Sequence, residues 1–331
     1  MILTNPITLP ASKMINTMTA LIGEMRFNDT LQPSEIVNDL VDMSRVGKVD
    51  YGKGIIYNFK YDTLPVKDLS ETSTATTITK PAIGQETITI DNYKFVPISL
   101  NDIIAPDCVL NGNMLNTFFS FAMGLMEDTA QFYLFDQVNN LYQSWTPTQV
   151  TQTVKVKQID TSTLTGAELN EALKWNATEI GRVMRKTFNN MKIKNKKFTE
   201  KTKYTDPNDG QEKDVVSALK GTEMKIVFND KYYTEFLANA MATLYHSEKV
   251  GEMIPEGRQL ILPQDAMSSS NENTIAWLSH KDKFALADFY SVVMSWRDPS
   301  TGYTNSFYHF AYGLGTFTTA PGVKFVADYG A

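Results

Sequence analysis

The chain has 331 residues, 42% hydrophobic and 21% charged, which suits one large domain or two ordinary ones around a sizeable core. A formal charge of −6 excludes a chain-wide attraction to nucleic acid, and the lone cysteine, Cys108, excludes an intrachain disulfide framework. Three histidines, His246, His280 and His309, leave little room for a histidine-based metal site.

Residues 1–20 are rich in Thr, Asn and Pro and read as an extended arm or a frayed terminus. A short helix is expected after Pro33, with Ser34 as its cap, Ile36, Val37, Leu40, Val41 and Met43 on its apolar face, and Gly47 ending it. Residues 51–61 alternate, placing Ile55, Tyr57, Phe59 and Tyr61 on one strand face. Residues 86–98 alternate again through Ile88 and Ile90. About two dozen residues dominated by Thr, Ser, Lys and Pro separate them, too long a loop without core residues for a compact interior. The pair therefore reads as a long projecting hairpin that is marginal alone and needs a surface to lie on, most simply a neighbouring copy.

Residues 113–143 hold no proline, and Leu115, Phe118, Ala122, Leu125, Met126, Ala130, Tyr133, Leu134, Val138 and Leu141 follow helical spacing. The rod would be about 45 Å long. Phe119, Phe121, Phe132 and Phe135 widen its apolar face, which predicts burial on more than one side. Strand or linker follows over 146–163, then a second helix to Met191 with Thr165 as cap and Glu168 as capping-box partner. Beyond a lysine-rich tract come a buried strand, Met224 to Phe228, and a helix after Asn229 and Asp230. Strands are expected at 259–263, 274–279, 284–297 and 305–327. Helices and strands run in blocks without regular βαβ alternation, so the fold class is α+β.

Chemistry-bearing patterns are sparse. Gly47-Lys-Val-Asp-Tyr-Gly52-Lys53 nearly matches a phosphate-cradling loop, but Gly54 stands where the magnesium-holding hydroxyl belongs, and the loop precedes a strand instead of opening a helix. Asp206-Pro-Asn-Asp209-Gly210 lacks calcium-loop spacing and reads as a turn. No metalloprotease pair or nucleophile elbow occurs, Cys108 lies among Ile103, Ile104, Val109 and Leu110, and no carboxylate pair stands out. No catalytic, cofactor or metal residue is therefore assigned. No run reaches the roughly 20 apolar residues of a membrane helix, and the N-terminus has no signal-peptide pattern. One basic tract is dense: Arg182, Arg185, Lys186, Lys192, Lys194, Lys196, Lys197, Lys201 and Lys203, opposed only by Glu200. It could face nucleic-acid phosphates without reading sequence, or be a solvated loop that pairs with acids on a neighbour. The remainder of the chain, at about −14, favours the second reading.

This order of elements resembles a tailed-bacteriophage major capsid protein of the Hong Kong phage ninety-seven type. That resemblance rests on the extended loop, its exit Phe95-Val-Pro-Ile-Ser-Leu-Asn-Asp-Ile-Ile104, the long helix, and Ile226-Val-Phe-Asn-Asp-Lys-Tyr-Tyr233. It also takes in Gly257 to Pro263, Phe284 to Arg297, and the closing stretches Phe307 to Phe317 and Val323 to Ala327. It implies an N-terminal arm (1–50), an extended hairpin loop (51–98), and a peripheral domain (99–220) with spine helix 113–143 and a basic connection. A mainly axial domain (221–300) and a return to peripheral strands (301–331) would follow. It further implies a structural virion protein, assembled in the host cytoplasm, that forms hexamers and pentamers of an icosahedral shell. Ile55, Tyr57, Phe59, Ile88 and Ile90 would then make inter-subunit contacts. Portal, scaffolding or decoration proteins and non-specifically held double-stranded DNA would be its partners, without membrane or cofactor. The alternatives are an encapsulin-like shell enclosing proteins, another structural virion protein, and an enzyme on an α+β scaffold.

Overall fold

The computed structural model describes residues 33–48, 55–61, 83–101, 112–200, 203–206, 210–214, 216, 218–219, 223–243, 258–301 and 303–330. The expectations for residues 1–32, the loop tip, Cys108 and His246 lie outside them.

Helix α1 (Glu35–Ser44) buries Val37, Leu40, Val41 and Met43, the expected face less Ile36, which is exposed. Ser34 occupies the N-cap but makes no side-chain cap bond. The helix stops at Ser44, and Gly47 lies within strand β1 (Arg45–Lys48), which pairs in parallel with β11 (Phe284–Asp298). That removes the last support for a phosphate loop, because Gly47 and Lys48 are strand residues. Strands β2 (Ile55–Tyr61) and β3 (Ile83–Thr89) form an antiparallel hairpin, with Ile55 opposite Thr89 and Tyr61 opposite Ile83. The hairpin is shorter than residues 51–98, because β4 (Asn92–Asn101) joins β12 (Tyr303–Thr316) instead. The resulting four-stranded sheet runs β1-β11-β12-β4.

Helix α2 (Gly112–Ser144) matches the expected rod. Its buried residues Met126, Ala130, Leu134, Val138 and Tyr142 recur every fourth position, which makes one stripe. Met123 and Phe132 are exposed, so within the subunit the helix is not buried on several sides as expected. Of the phenylalanines that widen its apolar face, Phe135 packs against the core and Phe132 is exposed.

The second sheet runs, in spatial order, β5 (Thr153–Lys157), β13 (Gly322–Asp328), β10 (Thr274–His280), β8 (Met224–Asn229) and β9 (Arg258–Leu262). Helices α3 (Gly166–Met191) and α4 (Asp230–Thr243) cover one face: Ile180, Met184, Phe188, Tyr232 and Phe236 pack on Ile226, Phe228, Leu278, Val323 and Phe325. On the other face Val227, Leu260, Leu262 and Trp277 meet α1, α2 and the four-stranded sheet through Leu40, Val138, Tyr142, Phe284 and Phe310. Every β8 residue is buried because both of its sides are covered.

Two expectations change. Thr165 sits at the α3 N-cap without a side-chain cap bond; Gly166 has φ +60°, so the first turn does not present its N–H groups in capping-box geometry. The strand expected over 305–327 is two strands in two sheets, divided by a turn in which the Ala320 N–H donates to the Phe317 carbonyl. Residues Thr318 to Gly322 are turn and breaker types, so β12 ends in one sheet and β13 begins in the other. Sheet membership therefore groups β5, α3 and β13 with β8 to β10, and not with α2.

Candidate assembly surfaces

Strand alternation gives the four-stranded sheet two unlike faces. Val96, Tyr308, Phe310 and Tyr312 face α2, where Tyr133 meets Phe310 and Tyr312 edge-on, with ring centroids 6.0 and 6.1 Å away. The opposite face carries Tyr93 (62% exposed), Phe95 (56%), Met294 (53%) and Trp296 (55%), together with half-buried Phe307 and His309. These groups touch. Trp296 stacks on Phe307 at 4.4 Å and 18°, and Phe95 lies 5.6 Å from Phe307 and 5.7 Å from His309. Register explains the cluster, since His309 pairs with Phe95 and Phe307 with Met294. Aromatic rows on adjacent strands merge into one apolar area on the face turned away from the core. Such patches mark protein contact sites.

The hairpin root is held in a different way. Ile88 (7% exposed) packs with Val46, Ala285, Phe317 and Ala320 of its own chain, and Ile90 is 4% exposed. Both side chains are thus buried within their own chain, and β3 crosses β12 at glycines. A methyl group on Gly313 would stand 2.6 Å from the Thr89 carbonyl oxygen, and one on Gly315 would stand 3.2 Å from Ile88 Cγ1. Two residues earlier on the same face, the Glu86 carboxylate accepts the Thr318 N–H at 2.9 Å, the Thr319 N–H at 3.1 Å and the Thr319 hydroxyl at 2.5 Å, and it also accepts the Thr318 hydroxyl. Ile55, Tyr57 and Phe59 lie opposite Thr89, Thr87 and Gln85 in the ladder.

Behind the same turn lies a buried cation. Lys283 is fully enclosed; its Nζ donates to Glu200 Oε1 at 2.6 Å and to the Phe317 carbonyl at 3.0 Å, and stands 5.3 Å from the Trp145 ring centre. Trp145 Nε1–H donates to the same Glu200 oxygen at 2.9 Å. Burial pushes the Lys283 ammonium below the ordinary lysine range, and the charges of Glu200 and Glu86 work against that. The turn at 317–320 thus joins β3, the Glu200 loop, the β10–β11 turn and the two sheets.

The basic tract is solvent-facing. Arg182, Arg185, Lys186, Lys192, Lys194, Lys196 and Lys197 are all exposed. Arg182 makes a two-pronged contact with Glu179, Lys196 reaches Asp214 at 3.4 Å, and Lys192 lies 4.1 Å over the Phe188 ring. Glu200, the acid expected to oppose this tract, instead serves Lys283. At the two ends of the expected 206–210 turn the Gly210 N–H donates to the Asp206 carbonyl, between short paired strands β6 (Lys203–Thr205) and β7 (Glu212–Asp214). Among the described residues no cluster of three or more His, Cys, Asp or Glu could hold a metal ion. No described helix is long and apolar enough to cross a membrane.

Sequence reasoning found the hairpin and the long helix but missed Glu86, Lys283 and the aromatic face. The aromatic signal was present, because Tyr93 and Phe95 alternate, as do Phe307 and His309. Which of the two sheet faces α2 covers is not written in either strand.

The arrangement defines a class of protein: a subunit with a two-stranded hairpin, a long helix packed on a four-stranded sheet, and an exposed aromatic surface, with the fold of tailed-phage capsid proteins. The capsid structure of Staphylococcus phage Andhra holds a chain similar to it at TM-score 0.54 and 9% identity, over 86% of this chain and 83% of that one. The capsid structure of cyanophage P-SCSP1u holds another at TM-score 0.52 and 11% identity, over 87% of each. No curated protein sequence matches. The family model of the Phi29-like phage major capsid protein matches residues 16–326, and the chain belongs to that family. It is a structural protein of the phage capsid, and the fold is the Hong Kong phage ninety-seven type expected from the sequence.

Proposed function

We propose that copies of this chain tile as hexamers and pentamers into a closed icosahedral shell around a double-stranded DNA genome, with the hairpin of one copy lying across the next. The exposed aromatic face around Trp296, Phe307 and Phe95 carries this reading. An isolated soluble subunit has no use for such a surface, whereas a lattice buries it repeatedly and sums modest contacts over a closed assembly. In this reading α1, α2 and the four-stranded sheet form the peripheral domain. The five-stranded sheet with α3 and α4 forms the axial domain. The role is mechanical and needs no catalytic residue or cofactor. Assembly takes place in the host cytoplasm, with portal, scaffolding or decoration proteins as further partners. The exposed basic tract of Arg182, Arg185, Lys186, Lys192, Lys194, Lys196 and Lys197 either meets DNA phosphates without reading sequence or, as the acidic remainder of the chain favours, stays solvated or pairs with acids on a neighbour.

The test is the double variant Phe95→Ser, Trp296→Ser. Both side chains are exposed, so the monomer should keep its far-ultraviolet spectrum and unfold at a midpoint close to wild type. Electron microscopy should find few or no closed shells. Shells in wild-type number would remove the aromatic face from the assembly contacts.

A further inference from the structure

We propose that Glu86 is a positioning residue for assembly: its carboxylate fixes the angle at which the β2–β3 hairpin leaves the subunit and so sets whether the hairpin reaches a neighbouring copy. This rests on the shell-forming reading above.

The geometry has three parts. First, Ile88 and the Thr89 carbonyl lie so close over Gly313 and Gly315 that the strand is pinned at its base. Second, Glu86 sits one alternation further out, at the last point where β3 still touches the body through described side chains. It takes all four donors of the Thr318–Thr319 pair, two backbone and two hydroxyl. Two fixed points on one strand define a direction, whereas Ile88 alone would act as a pivot. Third, the turn that holds Glu86 is itself immobilised. The Glu200 N–H donates to the Thr318 carbonyl, and Lys283 donates to the Phe317 carbonyl from a fully buried site. The Glu86 charge also acts on the Lys283 ammonium.

A carboxylate suits this place because it accepts only. Four donors converge on its two oxygens, so no other side chain of the same length fits without meeting a donor head-on. Glutamine would aim an amide N–H₂ at N–H and O–H groups. Charge-assisted bonds to backbone N–H are short and directional, as a device that sets an angle requires. A small change of angle at the root grows into a larger displacement with distance along β2 and β3.

The experiment compares wild type, Glu86→Ala, Glu86→Gln and Thr318→Ala/Thr319→Ala, alone and combined with Glu86→Ala. It reads three quantities: the unfolding midpoint of the unassembled subunit, amide exchange over residues 83–89, and the yield and shape of particles by electron microscopy. The expected result is folded subunits throughout, faster exchange over 83–89 in Glu86→Ala, and at least a tenfold loss of regular closed shells. Glu86→Gln should fall between the two, and the triple variant should be no worse than Glu86→Ala, because all these changes remove one interaction. Regular shells from Glu86→Ala at wild-type yield would overturn the proposal, as would additive losses in the triple variant. If wild type forms no shells, the assembly reading fails by itself. Exchange over 83–89 then decides whether Glu86 holds the hairpin, and unchanged exchange in Glu86→Ala would refute it.

Discussion

The two sheets of this molecule have almost opposite surroundings. The five-stranded sheet is closed in on both sides, by α3 and α4 on one face and by α1, α2 and the second sheet on the other; Ile226, Val227, Phe228, Ala276, Trp277 and Leu278 are all buried. The four-stranded sheet is covered along one face; on the other, β3 covers the end at Gly313 and Gly315, and Trp296, Phe95 and Tyr93 are left exposed. One half of the chain has its core completed within the subunit. The other half leaves a surface and a hairpin unfinished, as expected of a subunit whose remaining contacts come from sister copies.

Breaking the enclosed half should have the largest effect. Phe228 sits between Ile226 and the α4 ring of Tyr233, whose centroid is 5.0 Å away, on a strand covered from both sides. Phe228→Ala should cost about 3–5 kcal/mol, the range for a truncated buried aromatic. Chemical denaturation of the subunit should register that loss in full. A loss under about 1 kcal/mol would mean that the five-stranded half does not carry the fold.

The same contrast explains what could be read from the sequence. Period-3.6 and period-2 signals located α2, α3, β8 and β10 because each has one chemical face or none, and propensity and packing agree there. The hairpin was legible from its low-core tip. Partner choice was not. Ile88 looks the same whether it meets a neighbour or its own β12, and only Gly313 and Gly315, more than 200 residues away, decide it. Long-range polar pairs were equally silent, since Glu200 reads as part of a basic tract yet is bound to Lys283. The path of 305–327 failed for a related reason. An alternating run does not say which sheet it enters after a turn.

A smaller effect should come from a charge inside the closed half. Lys225 is 5% exposed on β8, beside Arg258 of β9 and Ser279 of β10. Burial lowers its ammonium to about 7; Asp282 favours the charged form, while Arg258 and Lys281 oppose it. The unfolded chain keeps this proton to the ordinary lysine range, so between about 7 and that range it binds more protons than the folded chain, and stability rises with pH. Below about 7 both states are charged and the burial penalty is constant. Lys225→Met should therefore stabilise the subunit by about 1–3 kcal/mol at pH 6, with the gain shrinking toward pH 10. Unfolding midpoints across that range check it; a gain that grows with pH would contradict the assignment.

The smallest effect concerns the outer side of α3, the polar counterpart of the aromatic sheet face. Arg185 and Lys186 project from a helix whose inner residues Met184, Thr187 and Phe188 are buried, so their charges contribute to surroundings and not to packing. Arg185→Gln with Lys186→Gln should leave the folded subunit within about 0.5 kcal/mol of wild type. If this face meets packaged DNA, each lost phosphate contact should lower the slope of log affinity against log salt by about one for a short duplex. Binding titrations at several salt concentrations then separate the two faces. A reduced slope with unchanged shell formation makes α3 a genome-facing surface and leaves assembly to the aromatic sheet. An unchanged slope makes the tract a solvated face.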